Sequence, residues 1–75
     1  MNPIILVIDD EPPIRRLLRL TLEPQGYYVC EAETGQLGLQ EAAAKRPNVI
    51  LLDLGLPDLD GVRVLKRFGN GVRRR

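Results

Sequence analysis

Cysteine is almost missing from this chain of 75 residues: Cys30 stands alone, so no internal disulfide can staple the fold. It falls in an apolar segment, where it reads as a small buried hydrophobe without a redox role. Excess charge is missing as well. Eleven basic side chains face ten acidic ones, for a net charge of +1, which gives no electrostatic reason to expect nucleic acid or an anionic membrane as partner. No long hydrophobic run exists. The first apolar stretch, Ile4 to Ile8, passes straight into acid and is too short for a signal peptide or a membrane span. A cytoplasmic protein with no membrane contact is therefore expected. Repeats, heptads and low-complexity segments are not visible either. A chain this short forms at most one small domain with a marginal core, and 44% hydrophobic with 28% charged residues argues against disorder over most of its length.

Two apolar runs carry most of the information. Ile4 to Ile8 ends in Asp9-Asp10, and Val49-Ile50-Leu51-Leu52 ends in Asp53. Both are continuous rather than alternating, as expected of strands buried on both faces of a parallel sheet. Between them, Pro12 and Pro13 suit a helix start, and Ile14, Leu17, Leu18 and Leu22 recur at helical spacing, with Arg15, Arg16 and Arg19 turned outward. Pro24 to Gly26 ends that helix. A strand is expected over Tyr27 to Ala32. Thr34 can cap a second helix that presents Gly35, Gly38, Leu39, Ala42 and Ala43 on one face. Pro47-Asn48 breaks the chain before the third strand, and Asp60 can cap a third helix carrying Val62, Leu65 and Phe68 inward, closed by Gly69-Asn70-Gly71. Alternation of this kind predicts an α/β fold of parallel strands with right-handed crossovers, with the first strand between the second and the third.

Strands that finish in aspartate deliver charge to the carboxyl edge of the sheet, where open α/β folds build ligand sites. One such Asp is usually a turn residue; two strands doing it together point to a site. A divalent metal beside a nucleophile is the most economical use of three carboxylates there. A calcium loop built on Asp58, Asp60 and Gly61 fails, because Leu56 and Arg67 would occupy positions that require carboxylates.

Val7-Ile8-Asp9-Asp10-Glu11, the amphipathic helix after it, and Leu51-Leu52-Asp53-Leu54-Gly55-Leu56-Pro57-Asp58 followed by Asp60-Gly61 resemble the receiver domain of two-component response regulators. Glu31-Ala32-Glu33-Thr34 and the segment from Leu52 to Asp58 look like the Kdp-type regulators of potassium-transport operons, which join a receiver to a DNA-binding domain. The resemblance implies a flavodoxin-like (CheY-like) doubly wound sheet, and a phosphoacceptor rather than an enzyme. Asp53 would take a phosphoryl group from phosphohistidine on a sensor histidine kinase. Mg2+ is the cofactor implied, with Asp10 and Asp53 as direct ligands, the main-chain carbonyl of Gly55 as a third, and Asp9 acting largely through water. Glu11 stays outside that set as a residue of the helix start, and Pro57 can rigidify the loop near Gly55.

The resemblance covers roughly residues 4 to 68, and the expected organisation is a partial receiver over 1–68 with a basic tail over 69–75. Val72-Arg73-Arg74-Arg75 reads as a solvated, frayed end where the family would continue into a fourth strand, so the chain is read as truncated to about three strands. The family's Ser or Thr after the fourth strand and Lys after the fifth are then missing. Lys45 belongs to the opposite pole of the sheet, and Lys66 lies about 9 Å along the third helix from Asp60. Phosphorylation is accordingly expected to be impaired. An unpaired third strand would also leave an apolar edge, for which a homodimer pairing third strand to third strand is expected. Two other readings compete: a non-catalytic, self-associating fragment that merely keeps its acids, and an aspartyl-phosphate hydrolase of the haloacid dehalogenase type. The hydrolase needs an acid two residues after its nucleophile, where this chain has Gly55.

Overall fold

A computed structural model describes residues 2–53 and 55–56 together with the backbone of residues 72–74. The expected third helix, with Pro57, Asp58, Asp60 and Lys66, lies outside the described residues. In chain order the elements are β1 (Ile4–Ile8), α1 (Pro12–Leu22), a 3-10 turn at Glu23–Gln25, β2 (Tyr28–Ala32), α2 (Gly35–Lys45), β3 (Val49–Leu52) and β4 (Val72–Arg74). The sheet is parallel throughout, in the order β2-β1-β3-β4. The central place of β1 follows from its unbroken apolar sequence, since only a strand covered on both faces tolerates one.

Successive residues of a strand face opposite sides, and each side of this sheet has its own core. Leu6 and Ile8 join Cys30, Ala32, Ile50, Leu52, Leu56 and Ala42 of α2 on one side. Ile5, Val7 and Val29 meet Leu18 and Leu22 of α1 on the other, with Val49 and Leu51 half-buried beside them. Full burial of a large aliphatic side chain contributes about 1.5–3 kcal/mol, so among the described residues the side built on Leu6, Ile8, Ile50 and Leu52 carries the larger share of the hydrophobic stabilisation. Cys30 is a buried free thiol, as its surroundings in the sequence imply.

Local signals set the ends of the elements. Pro12 and Pro13 open α1; Thr34 caps α2, its hydroxyl accepting the Leu37 N–H at 3.1 Å. Gly26 closes the first helical segment at φ 96°, and α2 ends in Arg46, a non-glycine residue at φ 49°. Asn48 then fastens β3 to β1: its Oδ1 accepts the Ile4 N–H and its own N–H donates to the Ile4 carbonyl, both at 2.8 Å. That double link fixes the register on which the site depends.

Four expectations need correction. Leu17 is 59% exposed, because α1 lies over the sheet through Leu18 and Leu22 and no described residue covers its next row. Arg15 and Arg19 do not turn outward; both reach back to Glu31 on β2. On α2, Gly35, Gly38 and Ala42 are buried but Ala43, about 100° further round the helix, is exposed. Last, Val72–Arg74 is a strand rather than a frayed end: it pairs in parallel with β3, Ile50 with Val72, Leu51 with Arg73 and Leu52 with Arg74. The backbone groups along the outer side of β3 need partners, and the tail provides them. The premise of a dimer through an exposed third strand is thereby removed.

Candidate functional site

Register brings the two acidic strand ends level. Ile8 of β1 pairs with Ala32 on one side and Leu52 on the other, and the ladder continues one step: Asp9 N–H donates to the Ala32 carbonyl and Asp53 N–H to the Ile8 carbonyl, both at 3.0 Å. Asp9 and Asp53 therefore leave the sheet side by side at its carboxyl edge. Asp10 and Glu11 follow on the turn into α1. Carboxylate oxygens of Asp9, Asp10, Glu11 and Asp53 all lie within 4.8 Å of one another. Asp9 is buried, Asp53 half-buried, and Asp10 and Glu11 exposed.

Two short turns hold these acids. Asp9 Oδ1 accepts the Glu11 N–H at 3.0 Å, which fixes the bend into α1, while the Glu11 carbonyl accepts the N–H groups of Ile14 and Arg15. Glu11 thus serves the helix start, as expected, and its carboxylate also stands within the cluster. Asp53 Oδ1 accepts the Gly55 N–H at 2.8 Å. A Cβ at Gly55 would come within 3.2 Å of that same oxygen, so any larger residue would crowd it. Leu56, 5% exposed, anchors the turn in the core and donates its N–H to the Asp53 carbonyl.

Arg15 and Glu31 adjoin the cluster, a placement that the sequence reading missed. Arg15 donates from a terminal guanidinium nitrogen to the Asp9 carbonyl at 2.7 Å and from Nε to Glu31 at 3.1 Å. Arg19 donates to Glu31 and to Glu23. Burial pushes the Glu31 carboxyl up, but the Arg19 hydrogen bond and charge, joined by those of Arg15, outweigh it and hold the group below its ordinary value. The Glu31 hydrogen bond raises Arg19 in turn. The available signal was register: Val7 pairs with Glu31, which puts an acid on the α1 side of an edge strand, one turn of helix from two arginines. Lys45 lies where expected, at the far pole, lining a hollow with Asn2, Ile4 and Tyr28.

Such a site, on such a sheet, defines the class. Residues 5–72 match the response regulator receiver domain, and the chain belongs to that family. Among curated proteins it is similar to the KDP operon transcriptional regulatory protein KdpE of Escherichia coli, 53% identical over 62 residues that make up 83% of this chain and 28% of that protein. Sporulation initiation phosphotransferase F of Bacillus subtilis is 39% identical over 68 residues, 91% of this chain and 55% of that one. Among solved structures, chemotaxis response regulator CheY4 of Vibrio cholerae superposes with a TM-score of 0.85 at 27% identity, covering 99% of this chain and 68% of that one. The chain thus spans little more than a quarter of the length of KdpE. These likenesses bear out the receiver fold read from the two Asp-terminated strands. Among the described residues no helix is long and apolar enough to cross a membrane.

Proposed function

We propose that this chain is the phosphoacceptor part of a two-component response regulator, with Asp53 receiving a phosphoryl group from phosphohistidine on a sensor histidine kinase. The observation that carries the reading is the convergence of Asp9, Asp10 and Asp53 oxygens within 4.8 Å at the carboxyl edge. An all-oxygen, carboxylate-rich donor set with an open side suits Mg2+, which needs only one or two carboxylates and keeps several waters. Asp10 and Asp53 would hold it directly with the Gly55 carbonyl, and Asp9 through water. When bound, the ion offsets the repulsion between a carboxylate and an incoming phosphoryl group.

The chain's own residues perform the remaining steps. The Gly55 N–H, bonded to Oδ1, orients the Asp53 carboxylate. An Asp53 oxygen attacks phosphorus, the phosphorus–nitrogen bond of the donor breaks, and its electron pair stays on the leaving imidazole, giving an acyl phosphate. This chain holds no histidine, so it is the acceptor and not the carrier in that exchange. Relatives named as transcriptional regulators support a role for the intact regulator in transcription control.

The test is a Mg2+ titration followed by amide NMR at Asp9, Asp10 and Asp53, paired with acetyl phosphate treatment read by mass spectrometry. Asp53→Asn and Asp10→Asn should each abolish the saturable Mg2+ response, and Asp53→Asn should remove the phosphorylated species. Identical titrations for the wild type and both variants would instead favour the non-catalytic fragment, with its acids idle.

A further inference from the structure

We infer that Arg15 is a positioning residue of the acidic site: held by Glu31, it fixes the peptide plane between Asp9 and Asp10 and so sets the direction in which the Asp10 carboxylate meets a divalent cation. This inference deepens the phosphoacceptor reading above and rests on it. Its starting point is a ring of hydrogen bonds that closes around Asp9. The Asp9 N–H donates to the Ala32 carbonyl of β2 at 3.0 Å, Asp9 Oδ1 accepts the Glu11 N–H at 3.0 Å, and the Asp9 carbonyl accepts from a terminal guanidinium nitrogen of Arg15 at 2.7 Å. Arg15 is itself tied at two points. Its backbone N–H donates to the Glu11 carbonyl at 3.2 Å, and its Nε donates at 3.1 Å to Glu31, the neighbour of Ala32 in β2. The bonds thus return to the strand they left.

A peptide unit is planar, so holding the Asp9 carbonyl oxygen also orients the N–H and Cα of Asp10. Asp10 needs that hold. It is exposed and lies past the end of β1, so neither core packing nor strand pairing fixes it, whereas Asp9 is 1% exposed. The Arg15 side chain is only 15% exposed and that of Glu31 28%, which leaves the pair weakly screened by solvent, and the bond to the carbonyl is strengthened by the guanidinium charge. A planar fork reaches both partners at once; the ammonium of lysine is a point charge without that geometry. Arg19 supplies the contrast, because its hydrogen bonds go to Glu31 and Glu23 and leave Asp9 alone. Charge by itself would act in the opposite direction, since a guanidinium beside the cluster repels a divalent cation. The sign of the effect on binding therefore separates positioning from charge.

The experiment compares the wild type, Arg15→Gln, Arg15→Lys and Arg19→Gln by Mg2+ titration followed in amide NMR, by amide hydrogen exchange in the metal-free proteins, and by urea midpoints. Arg15→Gln should bind Mg2+ about tenfold more weakly, as loss of the partner that orients a metal ligand does. Without Mg2+ it should also move the Asp10 amide resonance and speed exchange of the Glu11 N–H. Arg15→Lys keeps the charge but not the fork, so it too should lose affinity. Arg19→Gln removes an ion pair to the same glutamate and should lower the urea midpoint while keeping wild-type Mg2+ affinity. Wild-type or tighter Mg2+ binding in either Arg15 variant would overturn the inference and leave Asp53 as the acceptor, and so would an equal loss in Arg19→Gln, which would mark a general effect of stability. Should Arg15→Gln fail to fold, Arg15→Lys decides alone. A wild type with no saturable Mg2+ response would sink the phosphoacceptor reading itself, and this inference with it.

Discussion

Gly38 is the tightest point between α2 and the sheet, and its replacement tests whether packing there sets the site. A Cβ at this position would stand 2.5 Å from Ile8 Cδ1, 2.8 Å from Cγ1 and 3.0 Å from Cγ2, closer than carbon atoms approach without displacement. Ile8 is 1% exposed and immediately precedes Asp9, so it cannot yield without disturbing either the core or the acidic edge. Overpacking of this kind costs about 1–3 kcal/mol, and the better helix propensity of alanine returns about 0.5–1 kcal/mol. Gly38→Ala should therefore destabilise by about 1–2 kcal/mol, a large share of what a small domain has. Ile8→Val removes the nearest atom and alone costs about 0.5–1.5 kcal/mol. Combined, the two changes should cost less than their sum by about 1 kcal/mol, because the valine makes room for the new methyl group. Urea denaturation of the four proteins at constant m-value measures the cycle. Additivity within about 0.3 kcal/mol, or a Gly38→Ala protein more stable than the wild type, would refute the close-contact argument.

Two further outcomes follow from groups the structure perturbs. Glu31 titrates below its ordinary value of 4.5 in the folded chain, so its ion pairs stabilise fully above that value and are lost as pH falls through the lower folded value; Glu31→Gln should flatten the loss of stability between about pH 5 and pH 3, and an unchanged acid limb of urea midpoints would contradict the Arg15–Glu31–Arg19 linkage. Burial raises the Cys30 thiol above 9.0, with Glu41 adding to it, so a thiol reagent at neutral pH should label Cys30 slowly in the native chain and rapidly in urea. Fast native labelling would mean that β2 opens readily.

Legibility in the sequence tracked how local the physical cause was. Unbroken apolar runs name β1 and β3, and the aspartates that end them name the edge of the sheet, because strand and terminus are written in consecutive residues. Thr34 declares its own cap. Leu17 misled because helical periodicity tells which residues share a stripe but not how much of that stripe a neighbour covers. Arg15 and Arg19 misled for the opposite reason: on a helix surface they read as solvated charge, and only the pairing of Val7 with Glu31 shows that an acid waits across the boundary between α1 and β2. Leu56 fell in a loop by every local sign, yet its side chain is buried and pins the turn that orients Asp53.

Val72–Arg74 is the most instructive case, since three arginines after Gly-Asn-Gly have no strand signal of their own. Strand formation there is imposed by the partner: β3 carries backbone donors and acceptors along its outer side, and satisfying them is worth more than keeping the tail solvated. That placement changes the logic of the sheet edge. Among the described residues β4 is now the outer strand of the sheet, so closing it about a two-fold axis would pair β4 with β4, and a ribbon centred on Arg73 would set arginine against arginine. Like charges directly opposite one another are destabilising, and charge on an edge strand is a common way of resisting a second chain.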